Sequence, residues 1–389
     1  MAYEALDFYD VNELLTEEEQ MVRDSVREFV EERLMPGIAK HFRAGTFPVE
    51  MAREMGELGL LGAHLDGYGC AGMGQVAYGL ICQELERCDS GVRSFCSVQG
   101  SLAMYPIHQF GSEEQKQRWL PAMAAGDAIG CFGLTEPDFG SDPGGMITTA
   151  KPVPGGWVLN GAKMWITNGS IADIAVVWAR TPEGIRGFLV EKGTPGYTAP
   201  DIEGKWSLRA SVTSELVFDD CKIPEDAILP GTVGLKNALM CLSSARYGIA
   251  WGAVGAAQAC FDEALRHAQT RIIYGKPIGK FQMVQNKLVQ MANEITKGQL
   301  LAWRLGRLKE AGKAHHSQIS LAKRNNVHMA LEAARMGRDI LGASGITDEY
   351  VCGRHMANLE SVITYEGTHD IHMLIVGMEL TGLNALGND

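Results

Sequence analysis

The sequence predicts an α+β multidomain protein: an N-terminal α-helical domain, a middle antiparallel β-barrel or sandwich domain, and a C-terminal four-helix bundle. Three observations predict this order. Apolar residues recur at helical spacing up to about residue 125, short strands with turn signals fill about 129–229, and long helical patterns return from Gly234 onward. The expected domains are residues 1–128, 129–233 and 234–389.

The N-terminal elements are predicted from their start and stop signals. Thr16, followed by Glu17-Glu18-Glu19, is expected to cap a helix whose first turn carries acids. Pro36 is expected to end that helix. Further helices are predicted at about 49–58 and 76–88, and Ser112 is expected to start another.

The middle segment is predicted to form short strands at 131–134, 147–153, 157–159, 174–179, 187–190 and 214–218. Turn signals separate them at Pro154-Gly155-Gly156, Asn160-Gly161 and Asp219-Asp220. Short alternating strands with tight turns are typical of a barrel or sandwich.

The C-terminal third is predicted to contain long helices at about 235–270, 281–311, 317–341 and 371–385, the last within an apolar run that extends to Leu386. Small residues dominate the first of these helices between Ala250 and Ala257, so its backbone is expected to pack closely against its neighbours. Long antiparallel helices with short loops form bundles.

The composition of the chain argues against several classes of partner and site. The net charge of −12 and pI of about 5.4 argue against nucleic acid or an anionic membrane as the main partner. Nine scattered cysteines without a Cys-x-x-Cys motif indicate free thiols in a reducing compartment, with neither a disulfide frame nor a metal site. The N-terminus lacks signal- and transit-peptide patterns and no run is apolar enough to span a membrane, so we expect a soluble protein. A prokaryotic cytoplasm is favoured over a mitochondrial matrix form.

The segment 364–370 contains the strongest catalytic candidate. Glu366 is a lone acid followed by Gly367, where backbone can approach a ligand closely, and an apolar helix comes next. A carboxylate in this position is suited to act as a general base. The alternative is an ordinary helix start that Thr368 or Asp370 caps.

Four further segments carry weaker signals. The polar turn 135–142 can expose N–H groups to a phosphate or heterocycle, and the strand 163–169 offers an indole beside a hydroxyl. The loop 271–282 carries three cations at a helix entrance, a setting that a pyrophosphate favours. The segment 338–345 is a helix end with glycines. Ordinary loops, a hydrophobic strand and a C-cap remain the alternatives.

Taken together and in this order, these blocks resemble the acyl-CoA dehydrogenase family of flavoproteins over essentially the whole chain. Residues 134–142 and 165–168 carry its flavin motifs. Blocks 84–94, 242–252 and 365–372 are similar to its glutaryl-CoA dehydrogenase branch.

The resemblance implies an FAD-dependent enzyme that removes two hydrogens from an acyl-CoA. Glu366 would take the α-proton while the β-hydrogen leaves as hydride to flavin N5, and the backbone N–H of Glu366 with a ribityl hydroxyl would stabilise the enolate. With glutaryl-CoA, loss of CO2 would follow and give crotonyl-CoA, as in lysine and tryptophan degradation; Tyr365 and Thr167 match decarboxylating members.

Arg93 would select a dicarboxylic substrate, because a guanidinium binds a carboxylate with two hydrogen bonds. The alternative is a surface arginine paired with Glu86 or Asp89. Glu86 is expected either to tune Arg93 within the pocket or to lie on the helix surface.

The resemblance assigns further binding residues. The flavin contacts would be Phe132, Leu134, Thr135, Ser141, Trp165, Ile166 and Thr167, with Thr368 and Asp370 at the adenosine end. The contacts to a neighbouring subunit's FAD would be Arg271, Gln282, Asp339, Gly342 and Ala343, which implies a homotetramer. The substrate contacts would be Arg93, Ser94, Ser141, Met240, Ser244, Arg246, Tyr247, Tyr365 and Gly367, with Glu86 beside Arg93.

The expected electron acceptor is an electron-transferring flavoprotein. Departures from the family pattern occur at Cys70, Val92, Ala343 and Ser344, and none of them removes a catalytic group. The alternatives are a dehydrogenase that does not decarboxylate glutaryl-CoA, one for another short dicarboxylic acyl-CoA, and a non-enzymatic scaffold of the same fold.

Overall fold

The structure is a computed structural model that describes residues 7–385; the predictions for residues 1–6 and Leu386 fall outside them. The N-terminal helical domain contains α1 (Glu17–Phe29), α2 (Met35–Ala44), α3 (Met51–Glu57), α4 (Gln75–Cys88), α5 (Ser90–Ser97), α6 (Tyr105–Phe110) and α7 (Glu113–Ala124). Thr16 and Ser112 both form capping boxes, with Glu19 and Gln115. The predicted starts of α1 and α7 are therefore confirmed.

The prediction that Pro36 ends the first helical run is wrong. A π-helical segment, Val30–Leu34, follows α1 directly, and Pro36 lies in the first turn of α2. Proline is tolerated there because the wider π-turn interrupts the regular hydrogen-bond ladder just before the missing N–H. The π-helical segment Val98–Met104 precedes Pro106 of α6 in the same way.

The middle domain is a curled sheet. Its strands are β1 (Gly130–Gly133), β2 (Thr149–Val153), β3 (Gly156–Thr167), β4 (Ile174–Thr181), β5 (Gly184–Glu191), β6 (Tyr197–Thr198) and β7 (Thr213–Pro224). The order is β1-β4-β2-β3-β7-β6, and β5 also pairs with β4. The sheet is mixed where an antiparallel one was predicted: β1 runs parallel to β4, because the chain crosses over through β2 and β3 between them.

Two predicted turns, Asn160-Gly161 and Asp219-Asp220, lie inside strands instead. The pairing of β3 with β7 shifts register between Leu159 and Gly161. Asn160 donates from Nδ2 to Asp220 Oδ1 at 3.0 Å, and the Asp220 N–H donates to Asn160 Oδ1 at 2.8 Å. Asp220 has a φ of 46°. The Asn, Gly and Asp residues form a β-bulge, which uses the same local conformations as a turn without reversing the chain.

The C-terminal domain begins with α8 (Leu235–Thr270) and the small hairpin β8 (Ile272–Ile273) and β9 (Lys276–Pro277). It continues with α9 (Gln282–Glu310), α10 (His316–Ile340), α11 (Val351–Val362) and α12 (His369–Thr381). Within residues 234–385 the structure thus has five α-helices where four were predicted. The additional helix, α11, has no side-chain cap at Tyr350 and contains Gly353, so it lacks a local start signal.

Close packing of α8 holds the domains together. A Cβ at Gly255 would lie 1.8 Å from the carbonyl oxygen of Gln83 in α4, so only glycine permits this approach of the two backbones. One apolar core joins α8 to the N-terminal helices, and a second places Phe132 and Trp178 of the sheet against Ile107 and Ala238. The expected close packing of α8 is confirmed.

Two general features complete the fold. Among residues 7–385, no helix combines the length and the hydropathy needed to cross a bilayer. The cysteines are free thiols, and all but Cys70 are buried.

Candidate active site

A cavity of about 1430 Å³ opens where the three domains meet. Single small-molecule sites usually measure about 300–1,000 Å³, so this one has room for a cofactor and a substrate together. Most of the predicted site residues line it: Arg93, Ser94, Phe132, Leu134, Thr135, Ser141, Trp165, Ile166, Thr167, Met240, Ser244, Arg246, Tyr365, Glu366, Gly367 and Thr368.

Glu366 lies in the short connection between α11 and α12, in an unusual backbone conformation. Its φ is 55° and that of Gly367 is 87°. A non-glycine residue in the left-handed region costs roughly 1–2 kcal/mol, so the surrounding structure must hold it there. Thr368 caps α12 by accepting from the Ile371 N–H at 3.2 Å. The helix cap and the candidate base are therefore different residues: Thr368 forms the cap, and Glu366 remains the candidate base.

Side chains from three helices bind the carbonyl oxygens of Tyr365, Glu366 and Gly367. Lys323 of α10 donates from Nζ to the carbonyls of Tyr365 and Gly367, each at 2.8 Å. Arg246 of α8 donates from Nε to the Glu366 carbonyl at 2.7 Å, and His372 Nε2 lies 3.1 Å from the same oxygen. These hydrogen bonds from protein side chains thus fix the conformation of residues 365–367.

The environment of Glu366 raises the pKa of its carboxyl. Burial raises the pKa from its ordinary value of 4.5 to about 7, while the positive charges of Arg246, Lys323 and Arg93 oppose the rise. Its Oε2 is buried and has no hydrogen-bond partner among residues 7–385. An unpaired carboxylate with a pKa near 7, facing a large cavity, has the properties of a general base.

Arg93 lies in α5 and is 2% exposed, so the surface interpretation of this residue is wrong. It donates from Nε to Glu86 Oε2 at 2.6 Å and from Nη2 to the hydroxyl of Tyr365. Asp89 pairs with Arg354 instead, at 2.6 Å. These bonds leave Nη1 and the second Nη2 hydrogen of Arg93 without a partner among the residues that the structure describes.

Two residues assigned to substrate contact do not line the cavity. Tyr247 is completely buried and donates its hydroxyl to the Gln75 carbonyl at 2.6 Å. It follows Arg246 directly, and successive helix residues point about 100° apart, so both cannot face the same cavity. Glu86 is buried behind Arg93. The interpretation of Glu86 as a carboxylate that tunes Arg93 agrees with their contact.

The loop after β1 is held by a buried ion pair. Lys163 Nζ lies 2.8 Å from Glu136 Oε1, and both side chains are almost fully buried. Glu136 also accepts from the N–H groups of Ile147 and Thr148, at 2.7 and 2.9 Å. The pair fixes the loop 134–148 against β3. Trp165 of β3, at a φ of 65°, remains 61% exposed beside the cavity.

The remaining predicted residues lie outside the cavity. They are exposed on the C-terminal domain: Arg271, Gln282, Asp339, Gly342, Ala343 and Asp370. Asp370 follows Thr368 closely, in the first turn of α12, whereas a single chain does not bring the other five to the residues above.

Several residues that line the cavity or contact residues 365–367 carry no prediction, and Lys323 is the most informative of them. It contacts residues 365–367 but does not line the cavity. It stands in line with Ile319 and Val327 on the buried side of α10 and is only 1% exposed. A lysine at such a position, where the helical period calls for an apolar residue, is the signal that could have identified it. His372, which contacts the Glu366 carbonyl, and the 202–208 loop, which lines the cavity, carry no comparable signal in the sequence.

Comparison with protein-family models gives three matches in chain order. They are the acyl-CoA dehydrogenase N-terminal domain over residues 16–127, the middle domain over 131–221 and the C-terminal domain over 232–381. The human mitochondrial short-chain specific acyl-CoA dehydrogenase is 39% identical over 374 residues, which cover 94% of this chain and 90% of that protein.

Solved structures are also similar. A crystal structure of glutaryl-CoA dehydrogenase from Mycobacterium smegmatis is 58% identical, with a TM-score of 0.97 over 98% of this chain and 99% of that one. A structure of a glutaryl-CoA dehydrogenase from the same organism in complex with FADH2 is 54% identical, with the same TM-score and coverage.

Proposed function

Because the chain belongs to the acyl-CoA dehydrogenase family, we propose that it converts glutaryl-CoA to crotonyl-CoA and CO2, with Glu366 as the base. It is an enzyme with FAD as cofactor. The observation that carries the substrate assignment is the buried guanidinium of Arg93 in the cavity wall, with donors free to bind a carboxylate. The similarity to two glutaryl-CoA dehydrogenase structures supports it.

The cavity wall fits FAD. Trp165 presents an indole that is 61% exposed, a face on which a flat heterocycle can stack. Phe132 and Leu134 add apolar surface, and Thr135 and Thr167 add hydroxyl groups. These residues would hold the flavin. When bound, FAD supplies the acceptor for the hydride that leaves the β-carbon of the substrate.

Proton abstraction falls to Glu366. An α C–H beside a thioester is a weak acid, so a base with a pKa near 7 is better matched to it than an ordinary carboxylate. The backbone N–H of Glu366 has no acceptor among the described residues, and it would donate to the thioester oxygen as negative charge develops there. One residue thus contributes both the base and an enolate-stabilising donor.

Arg93 would bind the distal carboxylate through Nη1 and Nη2. Glu86 already balances the charge of Arg93, so the site is close to neutral before the substrate enters. Glu86 therefore moderates the attraction between Arg93 and the substrate carboxylate, which suits a group that must leave as uncharged CO2. After dehydrogenation, the bond between the γ-carbon and the carboxyl carbon would break and its electron pair would pass into the conjugated thioester. Glu366, now protonated, would return the proton to the γ-carbon and leave crotonyl-CoA.

The expected assembly is a homotetramer in which each chain completes a neighbour's FAD site. Apolar side chains on the exposed β8–β9 hairpin support this proposal, among them Ile272 and Tyr274, the latter 91% exposed. The hairpin adjoins Arg271, one of the residues proposed to reach the neighbouring cofactor. Light scattering on the purified protein tests the tetramer.

The electron acceptor is proposed to be an electron-transferring flavoprotein. Trp206 lies exposed at the cavity and offers aromatic surface of the kind that protein partners bind. Reoxidation of the reduced enzyme by such a flavoprotein, compared with reoxidation by O2, tests this assignment.

A second candidate is dehydrogenation of a short monocarboxylic acyl-CoA, and the 39% identity to a short-chain specific enzyme favours it. Product analysis separates the possibilities. The protein is incubated with glutaryl-CoA or butyryl-CoA and an artificial acceptor, and the thioesters are identified by mass spectrometry. We expect crotonyl-CoA and CO2 from glutaryl-CoA. Accumulation of glutaconyl-CoA would exclude decarboxylation, and turnover of butyryl-CoA alone would exclude the dicarboxylic substrate.

A further inference from the structure

The peptide that joins Tyr365 to Glu366 links Lys323 to the reaction centre. In a planar trans peptide, the C=O of one residue and the N–H of the next point in opposite directions. Lys323 holds the Tyr365 carbonyl on the protein side at 2.8 Å. The Glu366 N–H on the opposite side of that peptide is the group without an acceptor among residues 7–385.

The second bond of Lys323 fixes the other end of the same turn. Nζ also holds the Gly367 carbonyl at 2.8 Å, so a single ammonium group binds the carbonyls of the two residues that flank Glu366. Lys323 makes no ion pair with a carboxylate in the described part of the chain, and it is 1% exposed. A buried cation without a direct salt bridge is costly, and an ordinary turn would not need one.

We propose that Lys323 is a positioning residue for α-proton abstraction, which holds the Tyr365 and Gly367 carbonyls so that the Glu366 N–H and carboxylate face the bound thioester. The proposal rests on the assignment of Glu366 as the base. Arg246 and His372 hold the carbonyl between the two, and Lys323 is the only one of the three that spans Glu366 within the described chain.

Lys323 also acts on the charge of Glu366. Its positive charge lowers the pKa of Glu366, against the larger rise caused by burial, and Arg246 and Arg93 act in the same direction. Burial lowers the pKa of Lys323 itself to about 7, while the nearby Glu366 opposes that fall. The other titratable groups that face this pair are Tyr365, Cys241, His369 and His372.

The test compares Lys323→Met, which removes the donors and the charge, with Lys323→Arg, which keeps both. We expect the Met variant to retain FAD and to reduce its flavin ~10- to 100-fold more slowly, less than the full loss of an enolate-stabilising donor. Because Glu366 must be ionised, loss of a nearby positive charge moves the acid limb of the rate to higher pH by about one unit. The Arg variant should recover part of the rate and keep the limb in place.

A second readout isolates proton abstraction. Acetyl-CoA has no β-hydrogen, so exchange of its α-hydrogens with D2O requires the base and its N–H but no hydride transfer. Lys323→Met should slow this exchange by a factor similar to that for flavin reduction. If the Met variant loses FAD, Lys323→Gln replaces it, with the same expectation for the pH limb. Lys297→Met, which removes an exposed lysine from α9, is the matched control and should change neither readout.

The variant Glu366→Gln, measured in parallel, separates the two assignments. Undiminished flavin reduction by Glu366→Gln would overturn the base assignment and the role of Lys323 with it. An inactive Glu366→Gln together with a Lys323→Met that keeps its rate, its exchange and its pH limb would overturn the role of Lys323 alone.

Discussion

The ion pair between Arg93 and Glu86 allows a sharp test of the dicarboxylic substrate. Their side chains are 2% and 0% exposed and 2.6 Å apart. Arg93→Gln removes the donors proposed for the distal carboxylate, and truncating one partner of a buried charge pair costs about 2–5 kcal/mol. At about 1.4 kcal/mol per factor of ten, kcat/KM for glutaryl-CoA should fall by roughly 10¹·⁵- to 10³·⁵-fold. Butyryl-CoA has no distal charge, so its kcat/KM should change little or rise.

A double variant separates specificity from stability. Arg93→Gln alone leaves the Glu86 carboxylate buried without a counter-charge, which costs about 3–5 kcal/mol of folding free energy. Glu86→Gln combined with Arg93→Gln removes that orphaned charge, so the Tm should recover while glutaryl-CoA turnover stays low. Steady-state kinetics with both substrates and thermal unfolding are measured on each variant. An equal loss for glutaryl-CoA and butyryl-CoA would refute the assignment of Arg93.

Three further outcomes are expected. Gly252→Ala would place a Cβ 2.0 Å from Glu86 Oε2, so glutaryl-CoA kcat/KM should fall and the stability decrease by about 1–3 kcal/mol, whereas Gly377→Ala, with open space around it, should do neither. The rate of flavin reduction should rise as pH increases through about 7, because only ionised Glu366 accepts a proton; a rate that is flat from about pH 6 to 8 would contradict the raised pKa. Thr368→Ala removes the cap on the Ile371 N–H and should destabilise the protein by about 1 kcal/mol in thermal unfolding; an unchanged Tm would show that the cap contributes nothing.

Local signals in the sequence identified elements and single residues well. The sequence predicts the helix starts at Thr16 and Ser112 because the capping box found at each involves residues only three apart. Glu366 is identifiable from the sequence as a candidate base because an acid beside a glycine before a helix is also a local pattern. The prediction of a turn at Asn160-Gly161 is wrong for the same reason. A bulge and a turn use the same residue types, and only pairing with β7 distinguishes them.

Contacts between distant segments could not be read from the sequence. Lys323 meets Glu366 through the packing of α10 against the connection between α11 and α12, and no spacing in the chain encodes that contact. The expectation that Tyr247 contacts the substrate with Arg246 comes from the family resemblance alone, and Tyr247 is buried outside the cavity. The helical rotation of about 100° per residue separates them.

The central claim, that Glu366 is the catalytic base, is tested most directly by rapid mixing of Glu366→Gln with glutaryl-CoA while the flavin absorbance is followed. Glutamine keeps the shape of the side chain but cannot accept a proton, so FAD should stay bound. The rate of flavin reduction should fall by at least ~10²–10⁴-fold relative to the unmodified protein. Reduction at an unchanged rate would contradict the claim.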